Sequence, residues 1–114
     1  MVTVRLKKEK FTPFVFVGNM VKIYINNATD GDYYICDELS IMFINKDYII
    51  NSIVRANYPS DKMDAIRNNY DLVRDGTAGD KTQEYTQEYN KMQDWRRYCK
   101  ELAAEIMTNK SNKV

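Results

Sequence analysis

The spacing of the apolar residues changes once along this chain, near Asn45 to Asp47, and no other feature constrains the fold as much. Before that point the repeat is two. Val2, Val4 and Leu6 alternate with polar neighbours, as in a half-buried strand. Phe14-Val15-Phe16-Val17 is an aromatic and β-branched run closed by Gly18-Asn19, a two-residue hairpin turn, and the alternation resumes through Val21, Ile23 and Ile25. Asn26 to Asp32 has the composition of a turn, because Asn and Asp bond their own backbone and Gly31 accepts positive φ. Tyr33 to Cys36 and Leu39 to Ile44 then read as two short strands separated by Asp37-Glu38. An antiparallel sheet of four to five strands is expected over residues 1–45.

From Lys46 the repeat becomes three and four. Ile49, Ile50, Ile53 and Val54 mark one face of a helix that Asn45 or Asp47 can cap. Pro59 ends it, since the residue before a proline is pushed out of the α region. Ser60 is the expected N-cap of a second helix, with Asp61 and Asp64 near its start and Met63, Ile66, Tyr70 and Val73 as its buried stripe. Arg74 to Lys81 is polar, has two glycines and reads as a surface loop. Thr82 is the expected cap of a third helix, whose stripe runs through Tyr85, Tyr89, Met92, Trp95, Cys99, Leu102 and Ile106. From 82 to 107 that helix would be roughly 39 Å long, more than a small sheet spans. The reading is therefore one α+β domain over 1–107, with the sheet in 1–45 and the helices in 46–107, followed by a flexible tail at 108–114.

Length and charge narrow the function classes. A chain of 114 residues can bury one core. Seventeen basic residues against sixteen acidic ones leave a net charge of +1, too little for a global field toward nucleic acid or an anionic membrane. No apolar run approaches the roughly 20 residues of a membrane span. The N-terminus lacks the order of a secretory signal, so the default compartment is the cytoplasm, where Cys36 and Cys99 stay free as buried thiols. The sequence has no histidine and only two cysteines, so one chain cannot build a Cys/His zinc site. The usual acid–base side chain near neutral pH is missing too.

Three constellations suggest chemistry and are better explained without it. Gly76 to Thr82 is similar in outline to a phosphate loop, but Asp80 stands where a glycine must precede the lysine, and a helix leads in where a strand is needed. Asp30, Asp32, Asp37 and Glu38 lack the alternating ligands and terminal glutamate of a calcium loop and read as turn residues. Arg96, Arg97 and Lys100 share their helix with Glu88, Asp94, Glu101 and Glu105, which points to ion pairing on an exposed face; Lys7, Lys8 and Lys10 read as protection of a strand end. No catalytic, cofactor or metal residue is expected, and the chain reads as a non-enzyme.

The aromatic residues are more informative. Of nine tyrosines, four phenylalanines and a tryptophan, half are expected to fill the core, and Tyr and Trp are enriched at the centres of protein interfaces. Tyr33, Tyr34, Tyr58, Tyr85 and Tyr98 are expected at the surface. Tyr85, Tyr89, Met92 and Trp95 are the candidate interface residues, for a protein partner or a second copy in a homo-oligomer.

The stretch Asn57-Tyr58-Pro59-Ser60-Asp61-Lys62-Met63-Asp64, then Asn68-Asn69-Tyr70, and later Glu88-Tyr89 with Trp95-Arg96-Arg97-Tyr98-Cys99-Lys100, resembles small proteins encoded in the tail gene regions of gut bacteriophages and prophages. The second half also looks faintly like the C-terminal helix of phage tail-fibre assembly chaperones. The likeness covers roughly residues 45 to 105, and the N-terminal sheet has no part in it. It implies a tail-associated or assembly-accessory protein, without enzymatic activity, in the host cytoplasm or the virion. Two rival readings are a phage-encoded inhibitor of a host defence protein or its nucleotide messenger, and a nucleic-acid-binding module.

Overall fold

The computed structural model describes residues 1–112 and has the expected α+β order, a four-stranded antiparallel sheet followed by three helices of which the last is long. Two compact units divide the chain, Met1–Ile49 and the residues from Ile50 onward. Among the described residues no helix is long and apolar enough to cross a membrane.

In the first unit, β1 (Val2–Lys7), β2 (Phe14–Val17), β3 (Met20–Asp30) and β4 (Tyr33–Ile41) lie in the order β1-β4-β3-β2. Gly18 and Gly31 each open a two-residue loop with positive φ, 60° and 59°, the place where such a hairpin needs glycine. Two sequence expectations are corrected here. The turn expected over Asn26 to Asp32 is confined to Gly31-Asp32, because β3 continues to Asp30 through a bulge in which Asn26 and Asn27 together face Cys36. Asp37 and Glu38 do not interrupt the next strand, because each acid finds a partner across the sheet. Asp37 accepts a 2.9 Å hydrogen bond from the Asn26 amide, and Glu38 faces the Lys22 ammonium at 3.5 Å.

The pairing sorts the side chains into two faces. Val21, Ile23, Ile25 and Ile41 are buried on one, with Phe14, Phe16 and Leu39 half-buried beside them. The other face carries Leu6, Tyr24, Tyr34 and Cys36. Because β1 and β2 form opposite edges, the segment from Lys8 to Pro13 has to cross the sheet, and it crosses this second face. Lys8 N–H donates to the Asp32 carbonyl at 3.0 Å, the Phe11 ring meets Tyr34 edge-on at 4.9 Å, and Tyr24 N–H donates to the Pro13 carbonyl at 2.9 Å.

The first helix, α1 (Lys46–Asn57), is capped by Asn45, whose side-chain oxygen accepts the Tyr48 N–H at 3.0 Å. In α2 (Ser60–Arg74) the expected cap is displaced by one residue. Pro59 holds the cap position, its carbonyl accepts the Met63 N–H, and Ser60 is already helical with no side-chain cap bond. Gly76, at φ 74°, ends α2 in a Schellman turn, with Thr77 N–H on the Leu72 carbonyl and Gly76 N–H on that of Val73. The loop expected to follow contains a 3₁₀ turn, Gly79–Lys81, that leads directly into α3 (Thr82–Asn112). Thr82 is therefore not a cap; its hydroxyl donates back to the Gly79 carbonyl at 2.8 Å. At the other end α3 runs past residue 107, where the flexible tail was expected to begin. Thr108 and Asn109 bond the carbonyls of Ala104 and Glu105 and extend the helical backbone, while residues 113 and 114 of that tail lie outside the described residues.

Candidate functional site

Three of the four candidate interface residues on α3, Tyr89, Met92 and Trp95, lie among the helices of their own unit. Met92 has no exposed surface and packs in a cluster with Tyr58 and Ile66, against which Met63, Tyr89 and Trp95 also pack. Tyr89 is stacked face to face on Tyr70 of α2, ring centres 3.9 Å apart and planes within 3°. Trp95 donates its indole N–H to the Ile53 carbonyl of α1 at 3.3 Å and stacks on Tyr98 at 5.4 Å. Tyr85, nearer the start of the helix, is half-buried. Met92 is thus a core residue and not an interface residue. The expectation for Tyr58 is corrected in the same way, since it is buried in that cluster with the Lys62 ammonium 4.9 Å above its ring. Tyr98 is exposed as expected, while Tyr33 and Tyr34 are half-buried.

The charged groups find simple partners. Arg97 pairs with Asp94 at 3.0 Å and Arg96 donates to the Gln93 amide oxygen at 3.4 Å, both one helical turn apart on α3. Asp30 faces the Arg5 guanidinium at 3.5 Å. The Tyr24 phenol is held by Glu38, and its pKa is raised, first by burial and then by that carboxylate. Among the described residues no three His, Cys, Asp or Glu side chains are grouped so as to hold a metal.

Both thiols are buried and free. Desolvation pushes Cys99 from the ordinary 9.0 up to about 12, and burial followed by the nearby Asp37 raises Cys36. Neither is an activated nucleophile. Both are expected to resist a disulfide reagent at pH 8 in the native protein and to react promptly in guanidinium chloride, as followed by thiolate release. The folded Cys99 ionises later than the unfolded one. Its contribution to stability is therefore intact below 9.0 and is lost as pH rises from there through about 12.

Two surface features remain. The first is the connection from β4 to α1, where Met42, Phe43 and Tyr48 are 71%, 60% and 49% exposed and the Phe43 and Tyr48 rings meet edge-on at 5.3 Å. The turn is fixed by the Asn45 N–H on the Phe43 carbonyl at 3.0 Å, so these groups are presented on an ordered connection next to a capped helix. Sequence reasoning placed Met42 and Phe43 inside a strand. The signal against that was four apolar residues in a row, Ile41 to Ile44, which a half-buried strand cannot hide.

The second is a hollow of about 520 Å³ beside β1 and the crossing segment, lined by Arg5, Lys7, Lys10, Phe11, Tyr24 and Tyr33 among others. Arg5 lies over the Tyr33 ring at 3.8 Å. A smaller hollow of about 320 Å³, which Lys7 and Tyr33 also line, adds Lys8, Glu9 and Asp32.

No family model, curated protein or solved structure matches the chain.

Proposed function

We propose that this chain is a non-enzymatic accessory that binds another protein through Met42, Phe43 and Tyr48. The observation that carries the reading is their exposure. Each of the first two side chains would gain roughly 1.5–3 kcal/mol on burial, yet both stand in solvent on a turn held by hydrogen bonds. Interfaces are organised around a few such anchors, with aromatic residues and Met enriched at their centres. The partner we propose is a tail or fibre component of a bacteriophage. That choice is supported by the likeness of roughly residues 45 to 105 to small tail-region proteins, and with it goes a location in the host cytoplasm or the virion.

The test is affinity capture from infected or induced cells with the wild-type chain and with Phe43→Asp. The variant is expected to melt within about 2 °C of wild type, because the ring is solvent-exposed. It is also expected to lose a tail or fibre subunit that the wild type retains. Equal retention by both proteins would exclude this surface. A wild-type dimer in sedimentation that Phe43→Asp dissociates would replace the tail partner by a second copy of the chain.

A further inference from the structure

We propose that the free edge of β1 pairs with the same edge of a second copy of this chain, in antiparallel register about a two-fold axis at Val4, joining the two sheets into one. The pairing uses none of the residues of the Met42–Phe43–Tyr48 surface, so each proposal can fail without the other.

The backbone is the first ground. Among the described residues β1 has one neighbour in the sheet, β4, and its other side is an edge. Just past the last pair, Lys7 with Tyr33, the Lys8 N–H donates to the Asp32 carbonyl at 3.0 Å. Hydrogen-bonding positions alternate along an antiparallel pair, so Leu6, Val4 and Val2 turn their N–H and C=O groups toward β4, while Thr3 and Arg5 turn theirs outward. Both outward residues are exposed. An edge of this kind is a template for another strand.

The side chains are the second ground, and they select both the occupant and the register. An axis at Val4 sets Val2 of one copy opposite Leu6 of the other, Val4 opposite Val4, and Thr3 opposite Arg5. The apolar groups of both copies then share one face, where Val2 is 62% exposed in the single chain, and Thr3 and Arg5 become the pair that exchanges both main-chain bonds. Moving the axis to Arg5 would set Arg5 against Arg5, and like charges directly opposite are destabilising. Moving it to Thr3 leaves Leu6 without a partner. A shift by a single residue brings outward groups against inward ones and turns one copy's faces over. Arg5 leans away from the edge, over the Tyr33 ring at 3.8 Å and toward Asp30 at 3.5 Å, so its charge is answered within its own chain. Lys7, Lys8 and Lys10 lie beyond the matched stretch, where they protect the strand end and confine the pairing to Val2–Leu6. Because β1 matches itself in this way, the occupant is a second copy and not an unrelated strand.

The test is sedimentation of the full chain from low micromolar to millimolar concentration, with amide hydrogen exchange followed at both ends of that range. The wild type is expected to pass reversibly from monomer to dimer. The Thr3 and Arg5 amides should exchange freely when dilute and become protected in the dimer, while those of Val4 and Leu6 are protected throughout. Thr3→Pro removes an outward N–H, at a position where edge strands accept proline, and is expected to weaken the dimer roughly tenfold or more with an unchanged circular dichroism spectrum. Thr3→Arg places a cation opposite Arg5 of the other copy, should weaken the dimer in the same direction, and keeps the proposal open to refutation if the proline variant fails to fold. A protein that stays monomeric across the range, a dimer in which the Thr3 and Arg5 amides exchange as in the monomer, or a dimer indifferent to both folded variants would overturn the proposal. Dissociation by Thr3→Pro but not by Thr3→Arg would overturn the axis at Val4.

Discussion

Met92→Ala is expected to destabilise the protein by about 2–5 kcal/mol, the usual cost of emptying a buried methionine site. Met92 is fully enclosed, and the walls of the resulting cavity would be Tyr58, Ile66, Met63, Tyr89 and Trp95. Three of those walls are further fixed by contacts of their own: Tyr89 by its stack on Tyr70, Trp95 by its bond to the Ile53 carbonyl, and Tyr58 by the lysine above it. Walls held in that way cannot close over the gap, which puts the expected cost in the upper half of the range. The thermal midpoint should fall by on the order of 10–20 °C in calorimetry. Below that midpoint the variant should still capture whatever the Met42–Phe43–Tyr48 surface binds. The reverse result, normal melting with lost capture, would return Met92 to the role its sequence position first suggested.

Ile23→Ala should cost a similar amount, about 2–5 kcal/mol in urea denaturation, through a different arrangement. Ile23 is on an inner strand, fully buried, with Phe14 of β2 directly opposite on one side and Leu39 of β4 on the other. Removing it loosens two strand pairs at once. Val15→Ala is the matched control. It lies on the neighbouring strand but on the other face, is partly in solvent, and should change stability by no more than about 0.5 kcal/mol. Equal losses from both would mean that burial does not separate the two faces as described.

How much of this was legible in the residues depended on whether a local rule or a distant partner decided the outcome. The change of period near Asn45 located the passage from sheet to helix because both periods are properties of the chain itself. Gly18-Asn19 and Pro59 acted as punctuation for the same reason. Asp37 and Glu38 misled because what keeps them in a strand is Asn26 and Lys22, residues of another strand that no local pattern brings near. Ser60 and Thr82 misled by a single position. Pro59 already supplied the start of α2, and a 3₁₀ turn carried the chain into α3.

The candidate site was less legible than the fold. The spacing of Tyr85, Tyr89, Met92 and Trp95 correctly marks one face of a helix. A face that packs on α2 has the same period as a face that meets a partner, so periodicity could not separate the two. Met42 and Phe43 were visible only as a break in alternation. Lys7 and Lys10 drew notice as charges, but their shared hollow exists only once the crossing segment has brought Phe11 onto Tyr34.

The bulge in β3 sets where that hairpin can tolerate a change in length. Asn26 and Asn27 occupy the space of one residue opposite Cys36, so Ile25 and Ala28 point the same way even though three steps separate them. Shortening the chain by one at this spot would regularise the ladder and keep every neighbour on its present side. A deletion elsewhere along the strand would turn the sequence beyond it over, bringing greasy groups out and charges in. Homologues that differ by a single residue in this hairpin should carry the gap here.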